Sequence, residues 1–145
     1  MRRNILLFTI IFLMLSCNAQ QEVKIKDLSK NSDLNYIFAR IECNSINIKK
    51  MYSGSFFVKT FIISDSKITP ENFSEGTEEF LESIFVSIIP DGDYYTSSKL
   101  FKIEGLISPE IIEFKELQYP KFGLRIEYGN YNNRRIEFIE FEGVN

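Results

Sequence analysis

Alternation of apolar and polar side chains with a period of two residues is the feature that most constrains the fold of this chain. In residues 35–43, Ile37, Ala39, Ile41 and Cys43 share one face, and similar runs recur towards the C-terminus. This period predicts half-buried β-strands, because successive side chains of a strand point to opposite faces. Turn residues separate the runs at intervals of roughly ten residues, which is typical of antiparallel strands.

Three further runs extend this pattern. Residues 54–65 are apolar on both faces and predict a central strand, because a strand that is covered on both sides reads as a nearly continuous apolar run. Residues 98–105 and 110–117 alternate and predict two more strands, separated by Gly105 and Pro109.

Residues 122–143 predict a hairpin. Its turn is expected at residues 129–133, because Gly and Asn tolerate the positive φ angles of tight turns. One face of the first strand carries the apolar or aromatic side chains of Phe122, Leu124, Ile126 and Tyr128. That face is therefore expected to join the core.

The returning strand of this hairpin has an irregular pattern. Ile136 and Phe138 share one parity, whereas Ile139 and Phe141 have the other. Burial of both pairs on one face would need an extra residue in the strand, so we expect a β-bulge near Phe138.

Residues 77–90 allow two interpretations. Their apolar side chains fit the stripe of a helix over residues 77–89. However, residues 84–89 are rich in strand-forming types, and the Pro-Asp-Gly-Asp sequence that follows them favours a hairpin turn. We therefore expect a strand over residues 82–89 and keep the helix as the alternative.

The whole pattern predicts a mainly β fold. Seven or eight short strands would form an antiparallel sandwich or an open barrel, with one short helical turn at residues 68–73. The alternative is an α+β fold that contains the helix at about residues 77–89. A polar tether, residues 17–33, with a short strand at residues 22–26, would precede a single β-domain, residues 34–145.

The N-terminus has the organisation of a signal peptide. Arg2 and Arg3 precede an uncharged apolar run over residues 5–15, and the chain becomes polar at Asn18. A bilayer-spanning helix needs about 20 apolar residues, so this run is too short for a typical anchor and suits the core of a signal peptide.

Residues 13–17, Leu-Met-Leu-Ser-Cys, resemble the end of a bacterial lipoprotein signal peptide. In that family a small residue precedes the Cys that receives the lipid, as Ser16 precedes Cys17 here. The resemblance implies removal of residues 1–16 and a membrane anchor through lipid on Cys17. The family also retains many members in the inner membrane through Asp after the Cys, so Asn18 implies the periplasmic face of the outer membrane.

Two alternatives to lipidation remain open. Signal peptidase could cleave after Ala19 and release an exported protein that begins at Gln20, or the segment could stay as an uncleaved anchor. Removal of the signal peptide would also remove Arg2 and Arg3. The remaining chain has 15 basic and 20 acidic residues, and its net charge of −5 disfavours binding to nucleic acid.

Residue composition restricts the possible chemistry. The chain has no His, which excludes Ser-His-Asp and Cys-His catalysis and removes the commonest nitrogen ligand of zinc. Cys43 would be the single Cys besides the lipidated Cys17, and its parity with Ile41 predicts a core position. No cofactor is predicted, and we expect the protein not to be an enzyme.

Two groups of acidic residues have simple structural interpretations. Asp91 and Asp93 could contribute ligands to Ca²⁺, but the EF-hand spacing is absent, and a turn explains them better. The stretch formed by Glu71, Glu75, Glu78, Glu79 and Glu82 could contain a carboxylate pair for hydrolysis, but a solvated acidic face is the simpler interpretation.

Tyrosines gather near the predicted turns, and they suggest a recognition surface. Tyr and Arg are enriched at binding hot spots, and Tyr offers a large contact area at low entropic cost. The candidate recognition residues are Tyr128, Tyr131, Arg134 and Arg135.

These features together predict a lipid-anchored protein of the cell envelope with a non-catalytic β-domain for binding or assembly. Its partner would be another envelope component or, in an immunity-type protein, a toxin. The alternative from another class is a periplasmic hydrolase that depends on carboxylates.

Overall fold

The computed structural model of this protein describes residues 23–41, 47–65, 81–92 and 97–144. These residues contain eight β-strands, one α-helix and a 3₁₀ turn at Tyr52–Gly54. The strands are β1 (Lys24–Asp27), β2 (Asn47–Met51), β3 (Phe56–Ser64), β4 (Leu81–Pro90), β5 (Lys99–Ile107), β6 (Glu110–Glu116), β7 (Lys121–Asn130) and β8 (Asn133–Glu142), and the helix is α1 (Ser32–Arg40).

The strands form two antiparallel sheets, so the predicted mainly β class is confirmed. The larger sheet has the order β1-β5-β4-β3-β2, and the smaller one has the order β6-β7-β8. Each sheet ends in two edge strands, so the described strands form a sandwich rather than a closed barrel.

The core lies between the two sheets. Phe56 from β3 packs against Phe122 from β7 with ring centroids 5.9 Å apart, and Phe122 stacks on Phe141 from β8 at 5.5 Å. The fully buried side chains of the inner faces include Val58, Ile84, Val86, Ile88, Ile103, Leu124 and Ile126. As predicted, the face of β7 that begins at Phe122 is buried.

The predicted strand over residues 35–43 is wrong, because α1 occupies Ser32–Arg40. The side chain of Asn31 caps this helix by accepting a hydrogen bond from the backbone N–H of Leu34 at 3.1 Å. The buried residues of α1 are Asn35, Phe38 and Ala39, and their spacing of three and four is that of a helix face.

Helix α1 covers the outer face of the larger sheet. The ring of Phe38 stacks on Phe85 of β4 at 4.7 Å and meets the edge of Phe61 of β3 at 5.0 Å. The ammonium of Lys59 donates hydrogen bonds to the carbonyls of Ala39 (2.8 Å) and Ile41 (3.1 Å), at the C-terminal end of the helix. The domain therefore has three layers: a helix, a five-stranded sheet and a three-stranded sheet.

Strand β4 confirms the strand interpretation of residues 82–89. It lies at the centre of the larger sheet between β3 and β5. Its inner face contacts the smaller sheet and its outer face contacts α1, so most of its residues are buried. Strand β3 also lies inside the sheet, between β2 and β4, as predicted for a central strand.

The predicted bulge near Phe138 is wrong. The pairing of β7 with β8 runs without interruption from Lys121–Glu142 to Asn130–Asn133. Ile136 and Phe138 therefore lie on the outer face and are exposed, whereas Ile139 and Phe141 are buried. Bulges occur elsewhere, in β5, where Glu104 and Gly105 lie opposite Ser83 of β4, and in β6.

Two boundaries also differ from the expectation. Gly105 lies within β5, and the chain turns instead at Ser108 and Pro109. Residues 24–33 of the predicted tether contain β1, which overlaps the short strand predicted at residues 22–26, and the start of α1, so the folded part reaches back at least to Lys24. The predicted signal peptide, Cys17, Cys43, most of the acidic stretch and the helical turn at residues 68–73 lie outside the described residues.

Candidate functional site

The β7–β8 hairpin carries the four candidate recognition residues, but the structure divides them between two faces. Tyr128 pairs with Arg135, and Gly129 pairs with Arg134, which leaves Tyr131 and Asn132 as the two-residue turn. Residues directly opposite each other point to the same face. Tyr128 and Arg135 therefore point to the inner side of the sheet, and Arg134 points to the outer side.

Tyr128 belongs to the core. It is 8% exposed, and its hydroxyl donates a hydrogen bond to the Glu137 carboxylate at 3.0 Å. Burial raises the pKa of Tyr128, and the carboxylate of Glu137 raises it further. The Tyr128 ring therefore offers little surface to a partner.

Arg134 holds the hairpin in place. Its Nη1 donates hydrogen bonds to the carbonyls of Ser108 (2.7 Å) and Gly129 (3.2 Å). Its guanidinium also forms ion pairs with Glu127 at 3.4 Å and Glu110 at 3.6 Å. These contacts fasten the end of the hairpin to the connection between β5 and β6.

Gly129 makes this hairpin end possible. Its φ of +120° is one that other residues rarely adopt, and a Cβ at this position would come within 2.3 Å of the Asn133 carbonyl oxygen. The backbone beside the turn therefore requires Gly.

Tyr131 is the most exposed of the four candidate residues. It lies at the turn, and 90% of its surface is accessible. Arg134 fixes the strand end directly behind it. We call Tyr131 and Asn132 the hairpin tip.

A second surface was missed from the sequence. A cleft of about 380 Å³ lies where edge strand β1 of the larger sheet faces edge strand β8 of the smaller one. We call it the β1–β8 cleft; it is lined by Ile25, Asp27, Ser29, Lys99, Phe101, Glu140, Phe141 and Glu142. Nothing in the sequence brings β1 beside β8, because their proximity results from the packing of the two sheets.

Asp27 and Lys99, two charged residues that line the β1–β8 cleft, have different hydrogen-bond partners. Hydrogen bonds from Ser29, including one of 2.8 Å from its backbone N–H, lower the pKa of Asp27. The ammonium of Lys99 donates to the carbonyls of Glu142 (3.2 Å) and Gly143 (2.8 Å). Lys99 thus links β5 to the end of β8, and Asp27 favours the ionised form.

The other acidic residues singled out in the sequence do not assemble into a site. Asp91 lies exposed just after β4, and the Glu82 carboxylate accepts a hydrogen bond from the Ser64 hydroxyl at 3.3 Å. Asp93 lies outside the described residues. Within the part of the chain that the structure describes, no three acidic, Cys or His side chains gather as ligands for a metal ion.

Comparison with models of known protein families, with curated protein sequences and with solved structures finds no match to this chain. The described residues also contain no helix that is long and apolar enough to cross a membrane.

Proposed function

We propose that this protein is an exported, lipid-anchored component of the cell envelope whose β-domain binds a protein partner and has no catalytic role. The observation that carries the binding role is the hairpin tip, where Tyr131 is 90% exposed. Tyr is enriched at recognition surfaces, where its ring gives a large contact area at low entropic cost.

The contacts of Arg134 support this role. Recognition by a preorganised residue costs less conformational entropy on binding. The hydrogen bonds from Arg134 to Ser108 and Gly129 fix the hairpin end, so Tyr131 projects from a defined backbone. In this proposal Tyr131 contacts the partner and Arg134 positions it.

The membrane anchor would be lipid on Cys17, at the periplasmic face of the outer membrane. Because β1 begins at Lys24, the tether from Cys17 would contain about seven residues. A flexible chain of that length would span on average about 15 Å. The domain would therefore act close to its own membrane.

The partner would be another envelope component or, if the protein is of the immunity type, a toxin. The hydrolase alternative gains no support from the β1–β8 cleft. Hydrolysis by two carboxylates needs a general acid with a raised pKa, whereas hydrogen bonds from Ser29 lower the pKa of Asp27.

Site-specific photo-crosslinking in intact cells tests the binding role. A benzophenone amino acid in place of Tyr131 is expected to produce a discrete crosslinked species. Tyr36, which lies exposed on α1 far from the hairpin in the fold, provides the matched control position. Equal crosslinking from both positions, or none from position 131, would reject the hairpin tip as a recognition surface.

A further inference from the structure

Among the residues that the structure describes, the two sheets have unequal numbers of strands, and a strand position beside β8 is open. Five strands of the larger sheet face three of the smaller one. In the described part of the chain, β8 pairs with β7 along one edge and has no strand along its other edge. That open edge borders the β1–β8 cleft.

The floor of the cleft is apolar. The rings of Phe101 and Phe141 lie 5.2 Å apart and join β5 to β8. Ile25 of β1 pairs with Ile103 and therefore points inward with it, yet Ile25 is 47% exposed. An additional strand beside β8 would cover this side chain.

The rim of the cleft is acidic. Glu140 and Glu142 alternate with the buried Phe141, so both project to the outer face of β8. Among the described residues, neither carboxylate has an ion-pair partner. Lys99 forms no ion pair with either carboxylate, and its ammonium donates to backbone carbonyls instead.

The open edge of β8 also offers backbone hydrogen bonds. An edge strand presents unpaired N–H and C=O groups that can pair with another strand. The ammonium of Lys99, which lines the cleft, donates a hydrogen bond to the carbonyl of Glu142. This carbonyl therefore lies on the cleft side of β8. Strand addition at such edges is a common way to bind extended peptides.

We propose that the β1–β8 cleft binds an extended segment of a protein partner, which adds as a strand beside β8 and alternates basic with apolar side chains. Basic side chains on its outer face would lie across from Glu140 and Glu142. Apolar side chains on its inner face would cover Ile25 and Phe101. Cross-strand pairs of opposite charge and of apolar residues both stabilise such pairing.

This inference rests on the proposed binding function and names a second contact surface for the partner. The hairpin tip and the cleft lie at opposite ends of β8, roughly 25 Å apart at the rise of a strand. Substitutions at the two places are therefore expected to act independently.

Peptide binding to the purified full chain in detergent tests the proposal. The probe is a fluorescent peptide of four Lys-Val repeats, followed by fluorescence anisotropy. A peptide of four Glu-Val repeats has the same length and alternation with the opposite charge. Saturable binding of the Lys-Val peptide alone is expected, and equal binding of both peptides, or of neither, would overturn the proposal.

Matched substitutions locate the binding site. Ile25→Lys places a positive charge on the floor of the cleft, and Ile48→Lys does the same on β2, the opposite edge strand of the larger sheet. Ile25 and Ile48 are 47% and 51% exposed, so neither substitution removes a core contact. We expect Ile25→Lys to weaken peptide binding about tenfold and Ile48→Lys to leave it unchanged; equal effects would contradict the assignment.

Two further variants separate the contributions of charge and backbone. The double substitution Glu140→Gln and Glu142→Gln is expected to weaken binding about tenfold, whereas Asp91→Asn has no effect. A Lys-Val peptide with N-methyl groups on alternate amides keeps its charge but loses N–H donors for the strand edge. Equal binding of the methylated peptide would show attraction by charge alone and would reject strand addition.

The same titrations distinguish failure of this site from failure of the proposed function. Tyr131→Ala is expected to leave binding of the Lys-Val peptide unchanged. If the peptide does not bind while crosslinking from position 131 persists, the cleft assignment is wrong and the hairpin tip remains. Loss of peptide binding on Tyr131→Ala would also reject the cleft as a separate site.

Discussion

Arg134 and Arg125 lie on the same outer face of the smaller sheet but make different contacts. Arg125 forms one ion pair, with Glu113 at 2.9 Å, and both side chains are well exposed. Arg134 is more buried and donates to two backbone carbonyls in addition to its ion pairs. Hydrogen bonds from a charged donor contribute more free energy than a surface ion pair.

The first prediction concerns this pair of arginines. Arg134→Ala is expected to lower the free energy of unfolding by about 1–2 kcal/mol, because charged hydrogen bonds to the hairpin are lost. Arg125→Ala serves as the control and is expected to cost within about 0.5 kcal/mol. Urea denaturation measures both values, and equal losses would contradict the structural role of Arg134.

Asp27 gives the second prediction, which is a dependence on pH. Its folded pKa lies below the unfolded value of 3.8, because Ser29 donates hydrogen bonds to the ionised carboxylate. The stability that it contributes is therefore present above pH 3.8 and is lost as the pH falls through the folded pKa.

Replacement of Asp27 by Asn is expected to reduce the loss of stability below pH 3.8, with Asp33→Asn as the control at another exposed Asp. Thermal unfolding from pH 6 to pH 2.5 measures the effect. A variant with the same acid dependence as the natural chain would show that Asp27 makes no such contribution.

Helix α1 illustrates how far local patterns determine an element. The alternation of Ile37, Ala39 and Ile41 fits a strand, yet Ile37 and Ile41 are exposed in the structure. The helix is selected by its cap at Asn31 and by the apolar groove that Phe38 fills. Because that groove is formed by two distant strands, the sequence near α1 contains only part of the information.

The third prediction tests the packing of α1. Phe38→Ala is expected to cost about 3 kcal/mol, because the ring fills a buried contact with Phe61 and Phe85. Tyr36→Ala, on the exposed side of the same helix, is expected to cost within about 0.5 kcal/mol. Hydrogen exchange of the α1 amides should show local opening in the first variant, and similar protection in both would contradict this packing.

Strands were easier to predict than the sites between them. The continuous apolar run of β4 and the alternation of β7 identified both strands, because each is buried by neighbours that leave a pattern in its own sequence. The misplaced bulge in β8 shows the limit of this reasoning. Ile136 and Phe138 were expected to be inside, but both are exposed on the outer face.

Phe138 lies outside because Gly123 makes room for it. A Cβ at position 123 would come within 1.9 Å of the Phe138 ring. The aromatic ring therefore covers the glycine of the neighbouring strand, which shields the backbone there and leaves the strand regular. Such a contact depends on the pairing register, which is why the parity of β8 alone gave the wrong expectation.

The two candidate sites also differ in how far the sequence predicts them. Tyr131 was identified because a turn leaves a clear sequence signal, and exposure at a turn follows from it. The β1–β8 cleft could not be found, since Ile25 and Glu140 are far apart in sequence and meet only through the stacking of the two sheets. The strand pairing and sheet stacking that create the cleft are properties of the tertiary fold.

For the molecule as a whole, the proposed lipid anchor would have a mechanical consequence. With six residues between Cys17 and β1, a lipid on Cys17 would hold the edge of the larger sheet near the membrane. The hairpin tip and the β1–β8 cleft would then act on partners at the same leaflet. The location of the anchor would therefore determine which partners both proposed contact surfaces can reach.

Mass spectrometry of the N-terminal peptide from the membrane fraction tests the central proposal most directly. A peptide that begins at Cys17 and carries the mass of a diacylglycerol, with or without an amide-linked chain, is the predicted result. Cys17→Ala should abolish the modification and leave the apolar segment uncut at that position. A mature protein that begins at Gln20, or an unmodified chain that retains residues 1–16, would contradict the lipid anchor and the location proposed for the domain.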